Sequence, residues 1–284
     1  MASTRDVACA VTMAVGLLVT GCSTNSEVRA ADVTLSPPPT GYDGLMRLPL
    51  SAYGTSKKDD DLLFKAQKAL VVRCMKSEGH KNYAGENINR ITAKTAEEKE
   101  AANPVGAWGY IGRATAKRRG FHTGLVLPTG GTGVTGQAAK DYEACAIKAK
   151  TQLPDLTKTD GWKLTQTLYG QSLQLAFADR RVIGARERWS TCITAAGHPA
   201  QDPEKLAAGP WDPAKPTAKE IAAAIAAESC TRSSDLAAVY FTVLTGYQQQ
   251  LISANTEALA RYQRQVREQT DQASELAALD GFQE

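Results

Sequence analysis

Four cysteines in the body of the chain constrain the fold more than any other feature. They are Cys74, Cys145, Cys192 and Cys230. Two of them open the same short phrase. Cys74-Met75-Lys76-Ser77-Glu78-Gly79-His80 and Cys192-Ile193-Thr194-Ala195-Ala196-Gly197-His198 both read C-[MI]-x-x-x-G-H. A glycine at that offset stops a helix, because it accepts the left-handed backbone that other residues resist. Each copy therefore reads as a helix end, and each is followed by one later cysteine. No C-x-x-C occurs, which argues against redox catalysis and zinc ribbons.

The amino terminus says where such cysteines reside. An uncharged run of fourteen residues, Val7–Thr20, follows Arg5 and Asp6. It is shorter than the roughly 20 residues that cross a bilayer core. It suits the apolar region of a secretory signal. The run ends in Val19-Thr20-Gly21-Cys22, an aliphatic residue, two small residues and a cysteine. This segment resembles the lipobox of bacterial lipoprotein signal peptides. The resemblance implies cleavage between Gly21 and Cys22 and a diacylglyceryl group on the Cys22 sulfur. Two acyl chains anchor stably where one is marginal. The expected location is the extracytoplasmic face of the cell membrane, and the expected first partner is the membrane itself, through the lipid on Cys22.

Export places the four remaining cysteines where disulfides form. Of three pairings, the sequential one is expected: Cys74–Cys145 and Cys192–Cys230. Loops this long make each bridge worth about 3–4.5 kcal/mol in the chain-entropy view.

The expected layout is a signal peptide at 1–21, a tether at 22–46 and a helical domain at 47–284. The tether is rich in Ser, Thr and Pro, including Pro37-Pro38-Pro39. A first helix is expected from Asp59-Asp60-Asp61 to Gly79, burying Leu63, Ala66, Leu70 and Cys74. Thr95-Ala96-Glu97-Glu98 has capping-box spacing and predicts a short helix. Residues 103–136 read as Gly-rich and irregular, with Gly124–Leu127 as a short strand. Further helices are expected over 137–152, burying Tyr142, Cys145 and Ala149, and over 160–177, with Leu164 and Leu168 on one face. Another follows a cap at Asp179 and buries Trp189, Cys192, Ile193 and Ala196. Residues 199–216 are proline-rich and read as loop. Thr217-Ala218-Lys219-Glu220 is a second capping box, opening a helix to about Thr231. A final helix is expected from Asp235 to about Ala278, with Leu236, Tyr240, Val243, Tyr247 and Leu251 as its stripe and a thinly apolar, projecting end. The fold class is all-α: a disulfide-stapled helical bundle with a long C-terminal helix, readable as two related modules, 47–155 and 156–284.

The paired Cys-x-x-x-x-Gly phrases, Leu48-Pro49-Leu50, Arg188-Trp189-Ser190-Thr191-Cys192 and the long last helix resemble exported lipoproteins of high-GC actinobacteria. That resemblance carries no catalytic residues with it.

Composition narrows function by exclusion. The formal charge of +3 on 284 residues gives no electrostatic footprint for nucleic acid. Gly131-Thr132-Gly133-Val134-Thr135-Gly136 fits G-x-G-x-x-G, but no βαβ unit surrounds it, so no cofactor is expected. His80, His122 and His198 are the only histidines; without H-E-x-x-H they are not expected to hold a metal. No G-x-S-x-G marks a hydrolase. Lys117-Arg118-Arg119 and Arg261, Arg264 and Arg267 are basic clusters suited to an anionic polymer or headgroup. Trp108, Tyr110 and Phe121 read as core cover. The expected function is a non-enzymatic envelope binding or assembly protein. A solute-capturing lipoprotein is the alternative, and an envelope hydrolase the third.

Overall fold

The computed structural model describes residues 34–39, 45–85, 87–89, 107–122 and 129–279. The lipobox, Cys22, the Thr95–Glu98 helix and the Gly124–Leu127 strand lie outside the described residues. The fold is all-helical, with a long C-terminal helix and two disulfides that bridge helices. No described helix is long and apolar enough to cross a membrane.

Helix α1 spans Lys57–Ser77. It starts two residues before the aspartate run because Ser56 is the cap. The Ser56 hydroxyl accepts from the Asp59 N–H, and Asp59 Oδ2 accepts from the Ser56 N–H at 2.8 Å. The run supplies the returning half of a capping box rather than the cap itself. Gly79 closes the helix at φ 100°, and the His80 N–H reaches Met75 O at 3.0 Å.

Helices α2 (Arg113–Arg119) and α3 (Gln137–Gln152) follow, separated by a two-stranded antiparallel ladder's second strand. That ladder pairs β1 (Asn87–Asn89) with β2 (Thr129–Gly131), Asn87 opposite Gly131. The segment read as irregular thus contains one helix. Helices α4 (Asp160–Ala178) and α5 (Arg180–Ala195) meet at Asp179, which caps α5 through the Arg181 N–H. Trp189 and Ile193 are fully buried, Cys192 is half-buried, and Ala196 is exposed, contrary to expectation. Ala196 falls past the last helical turn, at the C-cap, so it has left the buried face.

A short helix α6 (Pro203–Ala207), capped by Asp202, interrupts the proline-rich loop. Helix α7 covers Ala218–Ser233 behind the Thr217 cap. The predicted final helix is two helices, α8 (Leu236–Ala254) and α9 (Thr256–Leu279), divided at Asn255. Polar side chains at the division bond backwards to helical carbonyls. Asn255 Nδ2 donates to Leu251 O at 2.8 Å, Ser253 Oγ to Gln249 O and Thr256 Oγ1 to Ile252 O. Such back-bonding competes with the ladder and bends helices.

The break sends the two halves to different partners. Helix α8 packs on α4 and α5, and α9 packs on α1. The large core joins Ala176, Val182, Trp189, Ala227, Phe241 and Leu244. A second core joins Leu70, Met75, Cys145 and Leu153 with Ala273 of α9. The end of α9 does not project. Leu259, Tyr262, Val266, Gln269 and Ala273 repeat at three and four and are buried. Gln and Ala in that stripe hide it from a hydrophobicity reading.

Cys74 joins Cys145, linking α1 to α3, and Cys192 joins Cys230, linking α5 to α7. The Cα separations are 5.5 and 5.6 Å. The two C-[MI]-x-x-x-G-H phrases end their helices alike. His198 N–H meets Ile193 O at 3.0 Å, as His80 meets Met75.

The segment before the domain is partly strapped to it. The Ser36 N–H donates to Thr242 Oγ1 of α8 at 3.0 Å. Further on, the Leu50 N–H donates to the buried Gln248 Oε1 at 3.1 Å.

Candidate functional site

Helix α7 holds two buried glutamates that grip both ends of α2. Glu228, 3% exposed, accepts the Gly112 N–H through Oε2 at 3.1 Å. Its Oε1 takes Arg232 Nε at 2.7 Å, and the Arg232 guanidinium lies 4.0 Å from the Tyr110 ring centre. Burial first, then the neighbouring carboxylates, raise the Tyr110 phenol above its ordinary range against the pull of Arg232. Trp108 anchors the entry to α2 by donating from its indole to Glu204 at 3.0 Å.

Glu220, fully buried, sits at the other end. Sequence reasoning paired it with Thr217 in a capping box. Only half of that box forms: the Glu220 N–H donates to Thr217 Oγ1 at 3.2 Å, while the carboxylate turns to the α2 exit. Glu220 Oε1 accepts the Phe121 N–H at 2.8 Å. Its Oε2 lies at ion-pair distance, 3.3 Å, from His122 Nε2 and makes no hydrogen bond among the described residues. Gly120 makes room for this. It has φ 57°, and a Cβ there would lie 2.6 Å from Glu220 Oε1.

These groups floor a cleft of about 660 Å³. Arg118, Arg119, Phe121 and His122 form one wall; Trp211, Asp212, Pro213 and Pro216 form the other. Phe121 and Trp211 stack at 5.7 Å between centroids, and the Trp211 indole donates to Leu206 O. Arg119 has no ion-pair partner among the described residues. Ligand sites commonly have this size and this mixture of aromatic surface and a few aimed polar groups. The cleft lining contains no serine, threonine or cysteine among the described residues.

The remaining sequence candidates scatter. His80 Nε2 bonds Asp141 Oδ2 at 2.8 Å, fastening α1 to α3. That bond, with a second from Gln137, holds the Asp141 carboxyl below the ordinary range. His198 lies at the far end of α5. No three His, Cys, Asp or Glu side chains converge among the described residues. In the G-x-G-x-x-G segment, Gly131 belongs to β2 and Gly136, at φ 61°, precedes α3. The strand pairing there is antiparallel, so the parallel βαβ setting of a dinucleotide site does not arise. Cys74, Cys145, Cys192 and Cys230 are consumed by the two disulfides. Arg261 pairs loosely with Glu257 at 3.9 Å on the exposed face of α9. Trp108 joins the large core, and Tyr110 and Phe121 pack against it.

The Glu220–His122 pairing was missed because the two residues lie about a hundred positions apart. The one local clue was Gly120 directly before Phe121-His122, a glycine that no turn motif demanded. No protein-family model matches this chain, and it matches no curated protein and no solved structure.

Proposed function

We propose that this chain is a lipid-anchored, extracytoplasmic envelope protein whose helical domain binds a ligand or partner without catalysing a reaction. The observation that carries this reading is Val19-Thr20-Gly21-Cys22 after an apolar run too short to span a membrane. The disulfides support it. All four domain cysteines are paired, and paired cysteines belong to oxidising compartments outside the cytoplasm. That leaves Cys9, inside the segment proposed to be cleaved, and Cys22, which takes the lipid. The hydrogen bond from Ser36 to Thr242 of α8 supports a domain held close to the membrane on a short leash. From Cys22 to Ser36 is fourteen positions, at most about 50 Å of extended chain. The cleft supports binding, since it sets aromatic surface beside a few aimed polar groups.

The similar endings of α1 and α5, each carrying the first cysteine of a bridge, support descent of both helix pairs from one duplicated module.

Labelling cells with a tagged fatty acid tests the anchor. The wild-type chain incorporates label and its mature mass begins at a diacylated Cys22. The Cys22→Ala chain incorporates none. Label retained by Cys22→Ala refutes the anchor. Turnover of an envelope polymer by the purified protein, abolished by one polar substitution in the cleft, refutes the non-enzymatic half.

A further inference from the structure

We infer that the cleft between α2 and the 206–216 loop binds an anionic sugar, a hydroxylated ring that also carries a carboxylate or a phosphate. This deepens the binding function proposed above and takes from it only the setting.

The argument begins with Glu220 Oε2. A buried polar atom without a hydrogen bond is destabilising, because it has given up its water for nothing. This oxygen is buried on a residue that lines the cleft, lies 3.3 Å from His122 Nε2 and makes no hydrogen bond among the described residues. A ligand that brings a donor removes the penalty. We take that donor to be an uncharged hydroxyl rather than an ammonium, because Arg119 lines the same space as Glu220 and opposes added positive charge there, with Asp212 on the opposite wall. The Arg119 guanidinium, which forms no ion pair among the described residues, asks for the opposite: an anionic oxygen pair, which its planar fork meets bidentately. The Phe121–Trp211 pair supplies apolar surface for the C–H face of a ring. A hydroxyl, an anion and an apolar face on one compact molecule describe an anionic sugar. A cleft of about 660 Å³ lies within the range for ligands of one or two rings.

Calorimetry on the full chain in detergent micelles tests this with four probes: glucose 6-phosphate, glucuronate, glucose and inorganic phosphate. Glucose 6-phosphate or glucuronate should bind at least about tenfold more tightly than either glucose or phosphate alone, one decade being 1.4 kcal/mol. Glu220→Gln keeps an acceptor for the Phe121 N–H but replaces the other oxygen with a donor. It should weaken the charged sugars about tenfold or more while the protein still unfolds cooperatively. Arg119→Ala, on a half-exposed side chain, should erase the preference for charged over neutral sugar. Displacement by phosphatidylinositol in the micelles identifies a lipid headgroup as the source of the sugar. Displacement by soluble polygalacturonate identifies an envelope polymer.

Phosphate binding as tightly as glucose 6-phosphate overturns the proposal. So does tighter binding of glycine or glutamate than of the sugars, unchanged affinity in folded Glu220→Gln, or no binding by any probe. Fatty-acid labelling of Cys22 is independent of these outcomes, so the cleft assignment and the anchor fail separately.

Discussion

Two glycines of helix α4 should respond in opposite directions to the same substitution. Gly161 lies one turn-step into α4, where the helix crosses α9. A Cβ at Gly161 would fall 2.4 Å from Tyr262 Cγ and Cδ2 and 2.5 Å from Tyr262 Cβ. These atoms lie next to the α9 backbone, and Tyr262 is 3% exposed, packed with Leu156 and Val266. The ring has nowhere to swing. Gly170, nine residues on, has nothing within 4 Å of its would-be Cβ. Alanine is better than glycine in a helix interior by about 1 kcal/mol, and less near an end. Overpacking a filled core costs about 1–3 kcal/mol. Gly170→Ala should therefore stabilise by about 0.5–1 kcal/mol. Gly161→Ala should destabilise by about 1–2 kcal/mol after its smaller propensity gain is set against the clash. At about 2–4 °C per kcal/mol for a domain of this size, Tm should rise by about 1–4 °C in the first and fall by about 2–8 °C in the second. Differential scanning calorimetry reads both. In a Tyr262→Ala background the Gly161→Ala cost should shrink, since the ring atoms at 2.4 Å are gone, and in a Tyr262→Gly background it should vanish, since the Cβ at 2.5 Å goes too. Equal rises in Tm for both single variants would refute the close crossing of α4 and α9.

Further expectations concern stability and its pH dependence. Removing the Cys74–Cys145 bridge by double alanine substitution releases a separation of 71 residues and should cost about 4.4 kcal/mol; removing Cys192–Cys230, at 38 residues, about 3.9 kcal/mol. Urea titrations of both variants check this, and a loss below about 1 kcal/mol for either would discard the entropic account. Glu228→Ala should cost about 1–3 kcal/mol, mostly by orphaning the Gly112 N–H, because the Arg232 side chain is 55% exposed and can turn to water. Proteolysis should then cut first around α2. Burial pushes the Asp179 carboxyl up, but Arg181 and Tyr247 hydrogen bonds outweigh it and leave it below the ordinary range. Hydrogen bonds from His80 and Gln137 depress Asp141 likewise. A depressed carboxylate stabilises fully above its unfolded pKa of about 3.9 and ceases to as pH falls through its folded value. Stability should thus fall below about pH 4, with a shallower fall in Asp179→Asn; an unchanged acid slope would count against the Asp179–Arg181–Tyr247 cluster.

Much of the helical layout was legible because local chemistry was strong. Gln137–Gln152, the Asp179 cap, the Thr217 cap and both glycine stops depend on residues within one turn of each other. The sequential disulfides were one of three possible pairings, favoured because they join neighbours in sequence without interleaving. What escaped had non-local causes. The break at Asn255 needs three backward side-chain bonds whose joint effect no propensity scale records. The buried stripe of α9 includes Gln269, whose amide donates to Pro154 O. A polar residue becomes a core residue only when a distant carbonyl satisfies it. Helix α2 was read as irregular because its seven residues bury little beyond Thr115 and Ala116. It is held instead by Glu220 and Glu228 from α7.

Sequence by itself determined the helical class and, through Val19 to Cys22, the expectation of a lipid anchor, and it favoured one of three pairings of the cysteines. These rest on periodicity, capping chemistry and short motifs, which act between neighbours. Only the tertiary structure decided that Glu220 abandons its cap, passes under Gly120 and faces a cleft with Arg119 and His122. No short-range rule predicts that outcome. The carboxylate's choice between Thr217 and Phe121 is settled by which N–H groups are left without water once α2 has packed on α7, and that is known only after the chain has folded.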